Sequence, residues 1–121
     1  MWRTTMGLLG LCLAAATLTG CSDDSKPADE PSGDVVSSVD ITFSGDTVEP
    51  NGERIQIKKD VPLTLNVTAD APGEIHVHSN PEQEFEYDEG ETELELTIDA
   101  PGVVEVESHT LEKTILQLEV R

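Results

Sequence analysis

From Val39 to the C-terminus, apolar residues recur at every second position. "VDITF" sets Val39, Ile41 and Phe43 on one side, and "RIQIK" does the same with Ile55 and Ile57. "LTLNV" continues with Leu63, Leu65 and Val67, and "LELTI" with Leu94, Leu96 and Ile98. "VEV" adds Val104 and Val106, and "LQLEV" adds Leu116, Leu118 and Val120. Glu, Thr, Gln and Asn fill the alternate places. Successive side chains of a strand point to opposite faces, so this pattern predicts half-buried antiparallel strands, apolar inward and polar outward. Turn-forming runs separate them: "EPNGE", "KKDVP", "DAPGE", "SNP", "DEGE" and "DAPG". No segment carries a helical period. The expectation is an all-β domain over residues 39–121, a small Greek-key β-sandwich of about seven strands. A domain of that size buries little more than about 60% of its unfolded surface, so its core is modest.

The N-terminal third reads differently. "MWRTT" carries one positive charge, Arg3, and is followed by the apolar run "MGLLGLCLAAATL", which is too short for a standard membrane-spanning helix. Then comes "LTGC", Leu18-Thr19-Gly20-Cys21. This segment resembles the lipobox of bacterial lipoproteins. The resemblance implies a signal peptide over residues 1–20, cleavage before Cys21, and lipid on the Cys21 thiol and the new amine. Two or three acyl chains anchor a protein stably where one does so marginally. The protein is thus expected at the extracytoplasmic face of the cell membrane. Residues 22–38, "SDDSKPADEPSGDVVSS", lack an apolar period and read as a disordered acidic tether. Its root-mean-square reach is roughly 20–25 Å.

Composition removes several classes of function. Cleavage before Cys21 discards Arg3 and leaves six basic residues against 25 acidic, a formal charge of about −19. Such a surface repels nucleic acid and anionic headgroups and suits cations or basic partners. Cys12 leaves with the signal and Cys21 is capped by lipid, so the mature domain has no thiol for a disulfide, for catalysis or for copper. Phe43, Phe85 and Tyr87 are its only aromatic side chains, too few for a stacking platform. No nucleophile elbow, phosphate loop or distinct catalytic carboxylate pair is present, and no enzymatic activity is expected.

The histidines carry the remaining chemistry. In "GEIHVHSNPEQEFEY", Ile75 and Val77 continue the apolar face, so Glu74, His76 and His78 share the opposite one. In "GVVEVESH", Val104 and Val106 point inward, so Glu105, Glu107 and His109 share the outer face. Imidazoles two residues apart on a strand can converge on one ion, and imidazole with carboxylate suits zinc, copper(II) or iron. If these strands are neighbours, His76, His78 and His109 form a candidate site with Glu74, Glu105 and Glu107. Polar residues on a solvated strand face are the simpler reading of the same pattern.

The domain resembles the cupredoxin-like domains of exported bacterial lipoproteins, a group similar to the cupredoxin domain of EfeO-type iron-uptake proteins. The residues that carry this are "ITFSGDTVEPNGERIQIKKDVPLTLNVTADAPGEIHVHS", with Glu74-x-His76-x-His78, and the closing "APGVVEVESHTLEKTILQLEV". Two departures stand out: Ser79-Asn80-Pro81 replaces the usual Gly-Tyr-Asp, and Val104 replaces a phenylalanine. The resemblance implies a β-sandwich and an ion site. A blue-copper centre needs His₂Cys with an axial Met, and the mature domain has neither Cys nor Met, so a blue-copper electron carrier is not expected. Two alternatives stay open. One is a metal-free sandwich that presents its acidic face to an envelope protein. The other rests on "HVHSNPE", whose His-x-His-x₃-Glu spacing, with His109 beyond, resembles that of cupin metalloenzymes.

Overall fold

The computed structural model describes residues 34–121. The expected signal peptide, Cys21 and the tether up to residue 33 lie outside the described residues. Nine strands follow in order: β1 (Ser38–Ser44), β2 (Thr47–Glu49), β3 (Glu53–Ile57), β4 (Leu63–Ala69), β5 (Gly73–Val77), β6 (Gln83–Tyr87), β7 (Gly90–Leu96), β8 (Gly102–Ser108) and β9 (Lys113–Val120). They form a four-stranded sheet, β2-β1-β4-β7, and a five-stranded sheet, β3-β9-β8-β5-β6. No helix occurs among the described residues.

The alternation seen in the sequence sets the layers. Ile41, Phe43, Leu63, Leu65, Val67 and Leu96 face inward from the first sheet. Ile57, Ile75, Val77, Val106, Leu118 and Val120 do so from the second, and all join one core. Phe43 and Tyr87 stack between the sheets, with ring centroids 4.7 Å apart at 16°. Burial of this apolar area is the dominant favourable contribution to folding.

The structure departs from the expected strand list in two ways. Seven strands become nine because β2 and β6 carry weak patterns. β2 has three residues with one buried, Val48. β6 has only Phe85 and Tyr87 as apolar residues, set in an acidic run. The sheets are also mixed, since β1 pairs with β4 and β3 pairs with β9 in parallel. Alternation reports one buried face and is blind to strand direction. Backbone pairing begins ahead of Val39: the Val36 N–H donates to the Gln56 carbonyl, 2.9 Å, and the Thr64 N–H to the Ser37 carbonyl, 3.0 Å.

Candidate metal centre

The outer face of the five-stranded sheet carries every histidine of the chain. β5 pairs antiparallel with β8, with His76 opposite Glu107 and Val77 opposite Val106. The His78 N–H donates to the Glu105 carbonyl at 2.9 Å, and the His109 N–H to the Glu74 carbonyl at 3.0 Å. The two histidine-bearing strands are therefore neighbours. On its other side β5 pairs with β6, with Glu74 opposite Glu86, His76 opposite Glu84 and Val77 opposite Gln83. Continuing that register places Glu82 opposite His78.

Three side chains converge at the β5–β6 turn. Ligating atoms of His76, His78 and Glu82 all lie within 4.8 Å of one another. His76 Nε2 is 3.2 Å from Glu82 Oε2, and His78 Nδ1 is 3.9 Å from Glu82 Oε1. The two imidazoles lie side by side, centroids 4.5 Å apart. Metal–ligand bonds of about 2.0–2.1 Å in a tetrahedron put ligand atoms roughly 3.4 Å apart. The observed separations bracket that figure, so an ion needs only small side-chain movements to be held.

The other expected ligands have different partners. Glu107 Oε2 lies 2.8 Å from His78 Nε2, on the side of the ring away from Nδ1. Glu105 Oε1 accepts from the Thr114 hydroxyl at 2.7 Å. Glu74 stands opposite His109, and neither is in the converging group. Rows of a strand face are about 6.6–6.8 Å apart, so His109 lies roughly 13 Å along the face from His78. Glu82 was outside the expected set. Its signal was present in the His-x-His-x₃-Glu spacing, which becomes a contact only when the turn is as short as Ser79–Pro81.

The electrostatics of this face favour cations. By strand alternation Glu74, Glu82, Glu84, Glu86, Glu105 and Glu107 all project from it, and β5, β6 and β8 contain no Lys or Arg; the basic residues of this sheet, Arg54 and Lys113, lie on β3 and β9. Hydrogen bonding to Glu107 raises the His78 pKa above its ordinary 6.5; lost solvation opposes this, while the charges of Glu107, Glu82 and Glu105 reinforce it. A broad depression on the other sheet, over Asp40, Thr42, Asn66, Thr68, Glu91 and Glu93, carries no histidine. Residues 34–121 contain no Cys and no Met, so a His₂Cys-Met copper centre lacks its sulfur ligands there.

No protein-family model matches the chain. No curated protein matches it either. Among solved structures it is similar to a methionine-to-alanine variant of amicyanin in the Cu(I) form, with TM-score 0.53, 10% identity, and coverage of 69% of this chain and 82% of that one. A second amicyanin, a reduced tryptophan-to-tyrosine variant, gives TM-score 0.52 at 10% identity, covering 70% of this chain and 83% of that one. At such identity the likeness defines the fold alone: the described domain is a cupredoxin-like β-sandwich.

Proposed function

We propose that this protein is a membrane-anchored extracytoplasmic lipoprotein whose cupredoxin-like domain captures or buffers a transition metal ion. The observation that supports metal binding most directly is the convergence of His76, His78 and Glu82 within 4.8 Å. Two imidazoles and a carboxylate suit zinc, copper(II) or iron, and three protein ligands leave positions open for exchange. The lack of Cys and Met in residues 34–121 argues against a blue-copper electron carrier. We assign no catalytic activity. The Leu18-Thr19-Gly20-Cys21 segment supports lipid attachment at Cys21, and the motifs around His76, His78 and His109 support a place beside the EfeO-type group.

Calorimetric titration of the full chain with zinc(II) and copper(II) tests the site. His76→Ala, His78→Ala and Glu82→Gln should each weaken binding by roughly tenfold or more, since even loss of groups that only orient ligands costs about 10–100-fold. His109→Ala, roughly 13 Å from His78 along the sheet, should leave it unchanged. Equal affinity in wild type and the His76→Ala/Glu82→Gln double variant would overturn the reading. A second reading, a metal-free adaptor for an envelope protein, draws on the absence of Lys and Arg from β5 to β8. It would be favoured by that outcome.

A further inference from the structure

We infer that Glu107 is a positioning residue that holds His78 by Nε2–H and presents His78 Nδ1 to the ion, so that the two histidines ligate through different nitrogens. This rests on the metal-binding reading above and refines it. His78 Nε2 lies 2.8 Å from Glu107 Oε2, a short bond for a nitrogen donor and a carboxylate. A carboxylate accepts and does not donate, so in the neutral imidazole the proton sits on Nε2 and the lone pair on Nδ1. Nδ1 is the atom that faces Glu82, at 3.9 Å. His76 meets the same carboxylate through Nε2, at 3.2 Å.

The strand geometry explains the difference. Glu107 is opposite His76 in the register, and it reaches diagonally to His78. Glu82 belongs to the turn on the far side of β5. His78 therefore lies between two carboxylates, Glu107 on β8 and Glu82 in the β5–β6 turn, one at each ring nitrogen. Only Glu82 also touches His76, so the ion belongs on the Glu82 side and Glu107 acts through the ring. A metal-bound histidine whose other N–H is held by a carboxylate is fixed in tautomer and orientation, and its basicity rises. Glu107 is thereby removed from the ligand set and given a different task.

Two measurements on the full chain test this. The first is nitrogen-15 NMR of the imidazoles in metal-free protein at a pH where His78 is neutral. The expected spectrum shows Nε2 protonated and Nδ1 bare in His78; the reverse tautomer overturns the assignment. The second is zinc(II) titration of Glu107→Ala and Glu107→Gln. Alanine should weaken binding about 10–100-fold. Glutamine, whose carbonyl oxygen still accepts from Nε2–H, should recover most of the loss. Unchanged affinity in Glu107→Ala overturns the positioning role while the site stands. If glutamine is as weak as alanine, Glu107 is itself a ligand and the inference fails. A wild type that binds no zinc overturns the underlying reading, and this inference with it.

Discussion

Gly73 and the Tyr87 hydroxyl approach so closely that no side chain fits between them. A Cβ at Gly73 would lie 2.3 Å from the phenol oxygen, 2.6 Å from Tyr87 Cζ and 3.0 Å from Thr110 Oγ1. The Tyr87 ring has nowhere to retreat, because it stacks on Phe43 at 4.7 Å inside the core. Gly73→Ala should therefore destabilise the protein by about 1–3 kcal/mol in denaturant unfolding. Combining it with Tyr87→Phe removes the nearest atom and leaves Cζ, so the pair should be non-additive and the recovery partial. Equal midpoints for Gly73→Ala and wild type would mean that the end of β5 yields freely.

Tyr87 is the chain's only tyrosine, so the phenolate absorbance belongs to it alone. Burial pushes its pKa above the ordinary 10.0, and a hydrogen bond with Ser108 opposes the rise. The sign follows from the raised folded value. The neutral phenol contributes stability that is complete below pH 10, and this fades as pH climbs through the folded pKa. Spectrophotometric titration should place the native transition above that of the urea-unfolded chain. Coincident curves would mean that water reaches the hydroxyl freely.

Opposite pH trends are expected for the free and metal-loaded protein. The folded pKa of His78 lies above 6.5, raised first by the Glu107 hydrogen bond. In metal-free protein the His78–Glu107 pair stabilises fully below that ordinary value and is lost as pH rises through the raised one. Metal binding needs the neutral ring, so zinc affinity should fall on acidification, beginning at higher pH than an unperturbed histidine would give. Glu107→Gln removes the raising charge and should shift that fall to lower pH. Calorimetric titrations at about pH 8, 7 and 6 read the shift; identical profiles for the two proteins would contradict it.

Hydrogen exchange should find protected amides ahead of β1. The Val36 N–H bonds to Gln56 on edge strand β3, and Val36 itself packs against the core. Val36→Pro removes that donor and should speed exchange along β3 more than along β4. Unprotected exchange at Val36 in wild type would show the contact to be transient.

How much of this was legible in the sequence depended on which physical constraint each feature obeys. Alternation at Leu63, Leu65 and Val67 or at Leu116, Leu118 and Val120 announces one buried face, and those residues are core. It placed His76, His78, Glu105 and Glu107 on outer faces for the same reason. Register is another matter, because it is set by pairing and by turn length. The bulge that moves β8 from Val106↔Leu116 to Glu107↔Thr114, passing over Ile115, has no mark in the composition. The placing of His109 opposite Glu74, away from the other two histidines, is likewise a matter of which residue on β8 faces which on β5. Glu82 stayed out of the expected set because its segment reads as a loop, although the His-x-His-x₃-Glu spacing contained it, and Val36 did because the adjacent pair Val35-Val36 among Asp and Ser has no period.

The five-stranded sheet closes around β9. β9 sits between β3 and β8, and its parallel register with β3 runs from Glu53↔Leu116 to Ile57↔Val120. β3 therefore has no strand neighbour in its sheet until the eight-residue β9, some 56 residues further along the chain from Ile57 to Lys113, has docked. Contacts this distant in sequence make folding slow and leave strand edges open meanwhile. β2-β1-β4-β7 and β8-β5-β6 can each pair without β9, but β3 joins the five-stranded sheet only when β9 docks between it and β8.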